Sequence, residues 1–289
     1  MDLLAVGDLM LDVRVETGAL ARGGDVHGGV LVQPGGSAAN AAVWGSWAGA
    51  RTGLHGRVGA DVGGRVLREA LVERGIVPHL ALDREAATGT MLVVHEAGER
   101  SMVADRGANA RLSPADLPEA LRAGAVLVSG YLLLQEDSHP AGLAALLRAE
   151  ARHVAVDPAS WPLVEAFGVE RFLLETEPAN VILANELEAR TLTGEDGERA
   201  ARALATRYET AVVKRGSRGA VACAGGRVFE APAEPVVEVD PTGAGDAFDG
   251  AFLASLVRGE DLADALLAAC HAGALQVSSV RSWPDVEAP

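Results

Sequence analysis

The chain has 289 residues, 49% of them hydrophobic, and a formal net charge of −15. This length allows one large α/β domain or two smaller ones with a sizeable core. The acidic excess argues against nucleic acid and anionic membranes as partners, because phosphate groups are bound by a surplus of Lys and Arg.

Cysteine use and the N-terminus predict a cytoplasmic protein. Cys223 and Cys270 are too few and too far apart for a disulfide framework or a Cys-based metal site. The seven histidines show no spacing suited to zinc. The residues from Asp2 to Val6 lack the features of a signal peptide, and no apolar run is long enough to cross a membrane.

The N-terminal part of the chain predicts more strand than a simple βαβ unit, which indicates a small sheet set apart from the main one. Helical spacing begins at Ser37 and recurs over 62–74. Residues 88–95 and 100–104 are expected to form a hairpin around the turn 96–99. The other expected strands are 3–6, 9–15, 30–32 and 52–58.

From residue 125 onward, strands and helices alternate, which predicts a mostly parallel sheet covered on both faces by helices. An antiparallel pair, 221–223 and 227–229, is expected late in the chain. The expected strands are 126–128, 154–156, 181–183 and 211–213, and the expected helices are 141–151, 186–192 and 262–276.

Residues 240–252 (DPTGAGDAFDGAF) carry most of the functional information. The valines of 236–239 predict a strand before this stretch, and 247–256 has helical spacing. Gly243 and Gly245 allow a tight turn that directs backbone N–H groups at one point where the helix begins. Such a point attracts an anion, most simply a phosphate.

Asp246 adds a base to this anion site. The positive end of the helix should keep its carboxylate ionised, so that it can accept a proton from a hydroxyl attacking phosphorus. The glycine turn alone could also serve only to pack a helix against a sheet. Together with Asp246, it predicts phosphoryl transfer.

Residues 240–252 resemble the C-terminal signature of the ribokinase-like (PfkB) family of carbohydrate and nucleoside kinases, in which the last Asp of the Gly-Ala-Gly-Asp element is the catalytic base. Residues 35–42 (GGSAANAA) and 56–64 (GRVGADVGG) match the family at corresponding positions. The resemblance implies a single domain over 1–289, with a mostly parallel sheet between helices. It also implies a small β-sheet lid built from about 9–34 and 76–106.

The resemblance also implies a site for ATP and Mg²⁺. Asn185 and Glu188 match the Asn-x-x-Glu element associated with Mg²⁺ and the phosphates, with Glu188 acting through water. The alternative is a helix cap by Asn185 and a solvated Glu188.

Lys214, Gly216 and Gly219 resemble the nucleotide loop of the family, although an exposed basic turn is the alternative. His271 lies where the family closes on adenine, yet such a His is often structural.

On the acceptor side, Asp12 and Asn40 match polar residues that bind sugar hydroxyls, and Gly35 and Gly36 give close backbone access. The alternative is that Asn40 caps a helix and Asp12 faces solvent. Arg106 could pair with an acidic group of the substrate or be a surface residue at a strand end. Met10 and Ser37 depart from ribokinase itself, which argues against ribose, and Ala159 weakens a family role for Asp157.

Two further properties follow from the resemblance. Asp240 and the carbonyl of Thr242 match the positions beside which the family often binds a monovalent cation, so activation by K⁺ is expected. Exposed lid strands invite pairing with a second copy, which predicts a homodimer through the lid.

The sequence therefore predicts an ATP-dependent kinase acting on a hydroxyl, in particular a hydroxymethyl, of a sugar or sugar acid. A nucleoside kinase and a non-catalytic protein that binds nucleotide and sugar are the alternatives. A nicotinamide oxidoreductase is disfavoured, because the Gly-x-Gly-x-x-Gly pattern fails at Phe248.

Overall fold

A computed structural model describes residues 1–97 and 99–284 of the chain. Within these residues, thirteen strands build two sheets. In chain order the strands are β1 (Leu3–Val6), β2 (Met10–Thr17), β3 (Gly29–Gly35), β4 (Thr52–Gly59), β5 (Val77–Asp83), β6 (Thr90–Glu96), β7 (Glu99–Asp105), β8 (Leu121–Ser129), β9 (Ala149–Asp157), β10 (Val181–Asn185), β11 (Thr210–Lys214), β12 (Ala220–Ala224) and β13 (Arg227–Ala231).

The central sheet has nine strands in the order β13-β12-β11-β10-β9-β8-β1-β4-β5. All neighbours are parallel except β11-β12 and β12-β13, which form the antiparallel edge expected from the sequence. Its strands are apolar on both faces, as a covered parallel sheet requires. In β8, Val126 and Val128 join a core cluster with Phe172, whereas Leu127 packs on the opposite face with Phe252. The predicted α/β fold is confirmed.

Ten helices cover this sheet in the described part of the chain. They are α1 (Ser37–Trp47), α2 (Val62–Glu73), α3 (Gly130–Leu133), α4 (His139–Leu147), α5 (Trp161–Phe167), α6 (Val169–Glu175), α7 (Glu186–Thr193), α8 (Gly197–Leu204), α9 (Ala244–Arg258) and α10 (Leu262–Val277). None of the helices found among residues 1–97 and 99–284 has both the length and the apolar character needed to span a membrane.

The small sheet has the strand order β3-β2-β6-β7. Two antiparallel hairpins, β2-β3 and β6-β7, meet through the parallel pair β2-β6. Alternation along β2 places Met10, Asp12 and Arg14 on the buried face. Gly98, within the hairpin turn expected at 96–99, lies outside the described residues.

Two sequence expectations about strands are wrong. Residues 77–83 fall in the part assigned to the small sheet, but they form β5, which pairs in parallel with β4 at the edge of the central sheet. The valines of 236–239 form no strand, because the preceding strand β13 already ends the central sheet. Val237 is 82% exposed, so its β-branched side chain does not contribute to a core.

The expected helix 141–151 is also too long at its C-terminal end. Helix α4 ends at Leu147, and β9 begins at Ala149. Residues 149–151 have helical spacing, but they form a strand because they pair with residues 121–123 of β8. Tertiary contacts thus override the local preference. Residues 285–289 lie outside the described residues.

Helices α1 and α9 approach each other closely through two glycines. A Cβ on Gly250 would lie 2.2 Å from the carbonyl oxygen of Ala41 and 2.7 Å from the nitrogen of Gly45. Gly45 in turn faces Leu3 of the sheet, where a Cβ would lie 2.6 Å from a methyl group. The backbones therefore touch directly, and this contact aligns the N-terminal turns of both helices.

We predict that Gly250→Ala lowers the free energy of unfolding by about 1–3 kcal/mol, because the added methyl group must push the two helices apart. The measurement is urea unfolding followed by circular dichroism. Gly273→Ala in α10 is the matched control. Its Cβ would lie 3.5 Å from the carbonyl oxygen of Ala244, an ordinary contact, so helix propensity should leave the protein as stable or slightly more so. A Gly250→Ala protein as stable as the control would contradict the close contact.

Candidate active site

A cavity of about 900 Å³ lies between the small sheet and the ends of the central strands. The small sheet contributes Met10, Asp12 and Met91, and the turn before α9 contributes the opposite wall. Most of the residues predicted to bind substrate, nucleotide or metal line this one cavity. They are Asp12, Gly36, Asn40, Arg106, Asn185, Glu188, Lys214, Gly216, Gly219, Thr242, Gly243, Ala244, Gly245 and Asp246.

Gly243 begins α9 and makes the predicted anion site possible. It adopts the left-handed conformation, with φ of 79°, which a residue with a Cβ rarely adopts. The first turn of the helix, from Ala244, then directs N–H groups toward the cavity where no intrahelical acceptor exists. The Ala244 N–H makes a long bond of 3.3 Å to the carbonyl of Pro241, so Gly243 and Gly245 are the better candidates for holding an anion.

Asp246 lies in this first turn and is held by two side chains of α1. Its Oδ1 accepts a hydrogen bond from Ser37 Oγ at 2.8 Å, and its Oδ2 accepts one from Asn40 Nδ2 at 2.8 Å. Ser37, noted from the sequence only as a departure from ribokinase, thus contacts the predicted base. The close approach of α1 and α9 is what brings these groups together.

The helix terminus is expected to help keep Asp246 ionised, and its surroundings nonetheless raise its pKa. Burial raises the pKa of Asp246 to about 6, and the charge of Asp157 adds to the rise. The hydrogen bonds from Asn40 and Ser37 and the charge of Lys214 act in the opposite direction. The carboxylate is therefore ionised above about pH 6 and basic enough to take a proton.

Trp283 is a site residue that sequence reasoning missed. Its indole Nε1 donates to Asn40 Oδ1 at 2.8 Å, and both side chains are buried. Indole N–H is a donor only, so the oxygen of the Asn40 amide must face Trp283 and its NH₂ must face Asp246. The contact spans 243 positions of sequence, and no local pattern signals it.

Lys214 is buried beside the predicted anion site, and its ammonium group forms ion pairs with two carboxylates. Its Nζ lies 3.0 Å from Asp157 Oδ2 and 2.9 Å from Asp249 Oδ1. Burial lowers the pKa of Lys214, but the charges of Asp157 and Asp249 outweigh it and the net shift is upward. The exposed basic turn considered from the sequence is therefore wrong for Lys214.

Asp157 and Asp249 divide this charge unequally. Burial raises the pKa of Asp249. Burial also acts to raise the pKa of Asp157, but the charge of Lys214 together with hydrogen bonds to Asp249, Lys214 and the Ala159 N–H lowers it overall. Asp249 was also missed from the sequence, although it follows Asp246 by three residues and so shares its face of α9. The surroundings thus shift the pKa of Asp249 toward the neutral form and that of Asp157 toward the ionised form, while Lys214 is hydrogen-bonded to both.

Asn185 and Glu188 form a reciprocal cap at the start of α7. Asn185 Oδ1 accepts from the Glu188 N–H at 3.0 Å, and Glu188 Oε2 accepts from the Asn185 N–H at 2.8 Å. The capping alternative is thus correct for Asn185, but Glu188 is buried rather than solvated. Burial, followed by the charge of Asp157, raises the pKa of Glu188 to about 8.

This donor set fits Mg²⁺. Glu188 is a buried carboxylate at the cavity wall, and no positively charged side chain within the described residues pairs with it directly. Each of its oxygens accepts one hydrogen bond from Asn185 and keeps a free lone pair. Mg²⁺ keeps most of its waters and needs few protein oxygens. The residues described by the structure hold no cluster of three or more His, Cys, Asp or Glu suited to grip a metal without such waters.

The predicted nucleotide loop follows β11. Gly216 and Gly219 both have positive φ, and a Cβ on Gly219 would lie 2.0 Å from the carbonyl oxygen of Ala231. His271 lies beside the cavity, with Nδ1 2.9 Å from Glu234 and its ring near Trp47. From the same helix, Cys270, Gly273 and Ala274 line the cavity wall.

Asp12, predicted to bind the acceptor, lines the cavity and is buried rather than facing solvent. Its Oδ2 accepts from Ser282 Oγ at 3.1 Å, and a Cβ on Gly35 would lie 2.3 Å from the same oxygen. Gly36 begins α1 with φ of 100°, and its Cβ would lie 2.5 Å from the Asp8 carbonyl oxygen. Gly35 is therefore required by the close approach of Asp12, and Gly36 by that of the Asp8 backbone.

Arg106 reaches the cavity, but it is paired within the protein. Its Nη2 and Nε donate to Asp8 at 2.9 and 3.2 Å, and its Nη1 donates to Ser138 Oγ at 3.1 Å. Asp8 is buried and was not identified from the sequence. The pair places a charge-compensated guanidinium at the cavity wall.

Asp240 and Thr242, expected beside a monovalent cation, receive donors from the protein. Asp240 Oδ2 forms an ion pair with Arg14 Nη1 of the small sheet. The carbonyl oxygen of Thr242 accepts from Gln276 Nε2 at 3.0 Å. Neither Arg14 nor Gln276 was identified from the sequence.

Comparison with known proteins gives a consistent result. A family model described as pfkB family carbohydrate kinase matches residues 1–287. A fructokinase from Klebsiella pneumoniae is 33% identical over 247 residues, which are 80% of each chain. A 2-dehydro-3-deoxygluconokinase from Thermoproteus tenax is 34% identical over 261 residues, which are 84% of this chain and 78% of that protein.

Solved structures share the fold. A fructokinase double mutant from Vibrio cholerae, crystallised with fructose, ADP and a potassium ion, superposes with a TM-score of 0.83. The two chains are 24% identical, and the match covers 99% of this chain and 95% of that one. At this identity, the likeness supports the fold of the two sheets and their helices.

We predict that Trp283→Phe raises the pKa of Asp246 above its value of about 6, because the variant lacks the N–H that orients the Asn40 amide. The measurement is an NMR titration of the carboxyl carbons. Trp161→Phe is the control, since Trp161 is 40% exposed at the start of α5. An unchanged pKa in a folded Trp283→Phe protein would show that the indole does not orient Asn40.

Proposed function

The chain belongs to the pfkB family of carbohydrate kinases, and from this membership we propose that it transfers the γ-phosphoryl group of ATP to a hydroxyl of a sugar or sugar acid. The observation that carries the proposal is the position of Asp246. Its carboxylate lies at the N-terminus of α9, beside the amides of the glycine turn, and faces the cavity that also contains Asp12. Base, anion site and hydroxyl-binding carboxylate thus face one cavity.

In this proposal, Asp246 takes the proton of the acceptor hydroxyl as its oxygen attacks the γ-phosphorus. The bond between that phosphorus and the bridging oxygen breaks, and ADP leaves with the electron pair. The amides of Gly243, Ala244 and Gly245 stabilise negative charge on the transferred oxygens, with Ala244 the least available of the three. Mg²⁺, held through water near Glu188, would neutralise phosphate charge.

Asp12 and Asn40 are proposed to bind acceptor hydroxyls, with Gly35 and Gly36 giving backbone access. Arg106 contributes shape and hydrogen bonding more than net charge, because Asp8 compensates it. Gly216 and Gly219 are proposed to contact the nucleotide, with Asn185 holding Glu188 in place and His271 near the nucleotide end. The nucleoside acceptor is the alternative within this class.

The homodimer and the cytoplasmic location expected from the sequence stay predictions. Val30, Val32 and Val103 of the small sheet are 57–66% exposed, and these apolar side chains support pairing with a second copy.

A panel of sugars, sugar acids and nucleosides tests the proposal, with ADP formation and the phosphorylated product both measured. We expect transfer to at least one sugar or sugar acid. Transfer to nucleosides alone would support the alternative acceptor, whereas nucleotide and sugar binding without any product would support a non-catalytic role.

Asp246→Asn tests the base. We predict nearly normal ATP binding by calorimetry and a kcat lower by at least about a hundredfold, because the amide cannot take the proton. In the wild-type protein, kcat should fall below about pH 6 as Asp246 becomes protonated, and this limb should be absent in the variant. Asp25→Asn, in an exposed loop, is the control for the substitution. An almost fully active Asp246→Asn protein would remove Asp246 from this role.

A further inference from the structure

The ion pair between Arg14 and Asp240 joins the small sheet to the turn that carries the anion site. Arg14 lies on the buried face of β2, two residues after Asp12, and its guanidinium contacts Asp240 Oδ2. The two side chains are only 8% and 5% exposed. Asp240 Oδ1 also accepts the Thr242 N–H at 2.8 Å, so the carboxylate shapes the turn that leads to Gly243.

Gln276 makes the matching contact from α10. Its Nε2 donates to the carbonyl oxygen of Thr242 at 3.0 Å and to that of Arg281 at 2.9 Å. Both partners are acceptors, so the NH₂ group, not the oxygen, must face them. Gln276 is 1% exposed, and its amide therefore bridges two backbone carbonyls in the interior.

These two oxygens are the ones where the resemblance places a monovalent cation. A cation there would balance the charge of Asp240 and contact the carbonyl oxygen of Thr242. In this chain, the guanidinium of Arg14 balances the charge of Asp240, and the amide of Gln276 donates a hydrogen bond to the Thr242 carbonyl. An alkali ion would have to share each oxygen with a buried donor and lie next to the positive guanidinium of Arg14, and its own hydration would be lost as well. The residues present do not fit a bound K⁺.

We propose that Arg14 and Gln276 take the place of the monovalent cation, so that the turn before α9 is held in its active form without K⁺ or Na⁺. The positive charge beside Asp240 then belongs to a side chain of the small sheet and not to a bound ion. Formation of the ion pair requires β2 to pack against the turn, which links the position of the sheet bearing Asp12 to the anion site.

The activity test rests on the proposed kinase function. Steady-state rates of the salt-exchanged wild-type protein are compared in KCl, NaCl and choline chloride at equal ionic strength. We expect kcat/KM values within about twofold of each other. A larger rise in K⁺ would overturn the inference. The absence of transfer in all three salts would instead contradict the proposed function.

A second measurement does not depend on activity. Crystals soaked in RbCl are examined for anomalous scattering, and we expect no peak beside Asp240 and Thr242. A rubidium peak there would overturn the inference even for a protein that phosphorylates no acceptor.

Arg14→Met tests the substitution directly, because the variant leaves Asp240 buried without the guanidinium. We expect a loss of about tenfold or more in choline chloride and a partial recovery in KCl, since K⁺ can now approach the carboxylate. Arg122→Met is the matched control. Arg122 forms an exposed ion pair with Glu150 on the central sheet, so its variant should show neither loss nor salt response.

A folded Arg14→Met protein that K⁺ does not rescue would show that Arg14 does not stand in for a cation. Circular dichroism and the melting temperature establish that the variant is folded. Where it is not, the salt comparison and the rubidium soak of the wild-type protein decide.

Discussion

The contact of α1 with α9 is the constraint on which the site depends. Two helices that cross at Gly45 and Gly250 bring their backbones closer than helices with larger side chains can. Their N-terminal turns therefore meet at the same end of the cavity. One turn presents Ser37 and Asn40, and the other presents the amides and Asp246. The arrangement proposed for catalysis is thus set by backbone packing several residues away from Asp246.

The electrostatics around this crossing depend on a shortage of positive charge. Lys214 is the one ammonium at the centre of a group of carboxylates that includes Asp157, Asp249 and Glu188. It pairs with Asp157 and Asp249, and burial raises the pKa of both Asp249 and Glu188. A divalent cation near Glu188 would relieve this deficit. The same shortage, together with burial, gives Asp246 a basicity suited to accepting a proton near neutral pH.

The sequence was most informative where a local pattern of residues determines the local structure. Buried parallel strands appear as apolar runs, and a glycine turn followed by a helix indicates an anion site, so most of the central sheet and the surroundings of Asp246 could be predicted. The valines at 236–239 misled because β-branched residues also occur in exposed loops. Residues 77–83 were placed in the wrong sheet, because strand propensity does not specify the partner. Arg14, Gln276 and Trp283 could not be found, since their meaning depends on contacts made only in the folded chain.

The contacts made by Ser282 and Trp283 have a consequence for assembly during synthesis. Asp12 and Asn40 leave the ribosome early, but their partners are 270 and 243 positions later in the chain. A nascent chain that has folded its first strands therefore holds an incomplete pocket, in which Asp12 and Asn40 lack these two donors. Contacts of such long sequence separation form late in folding. The pocket is completed last, so a partly synthesised chain does not expose a finished site.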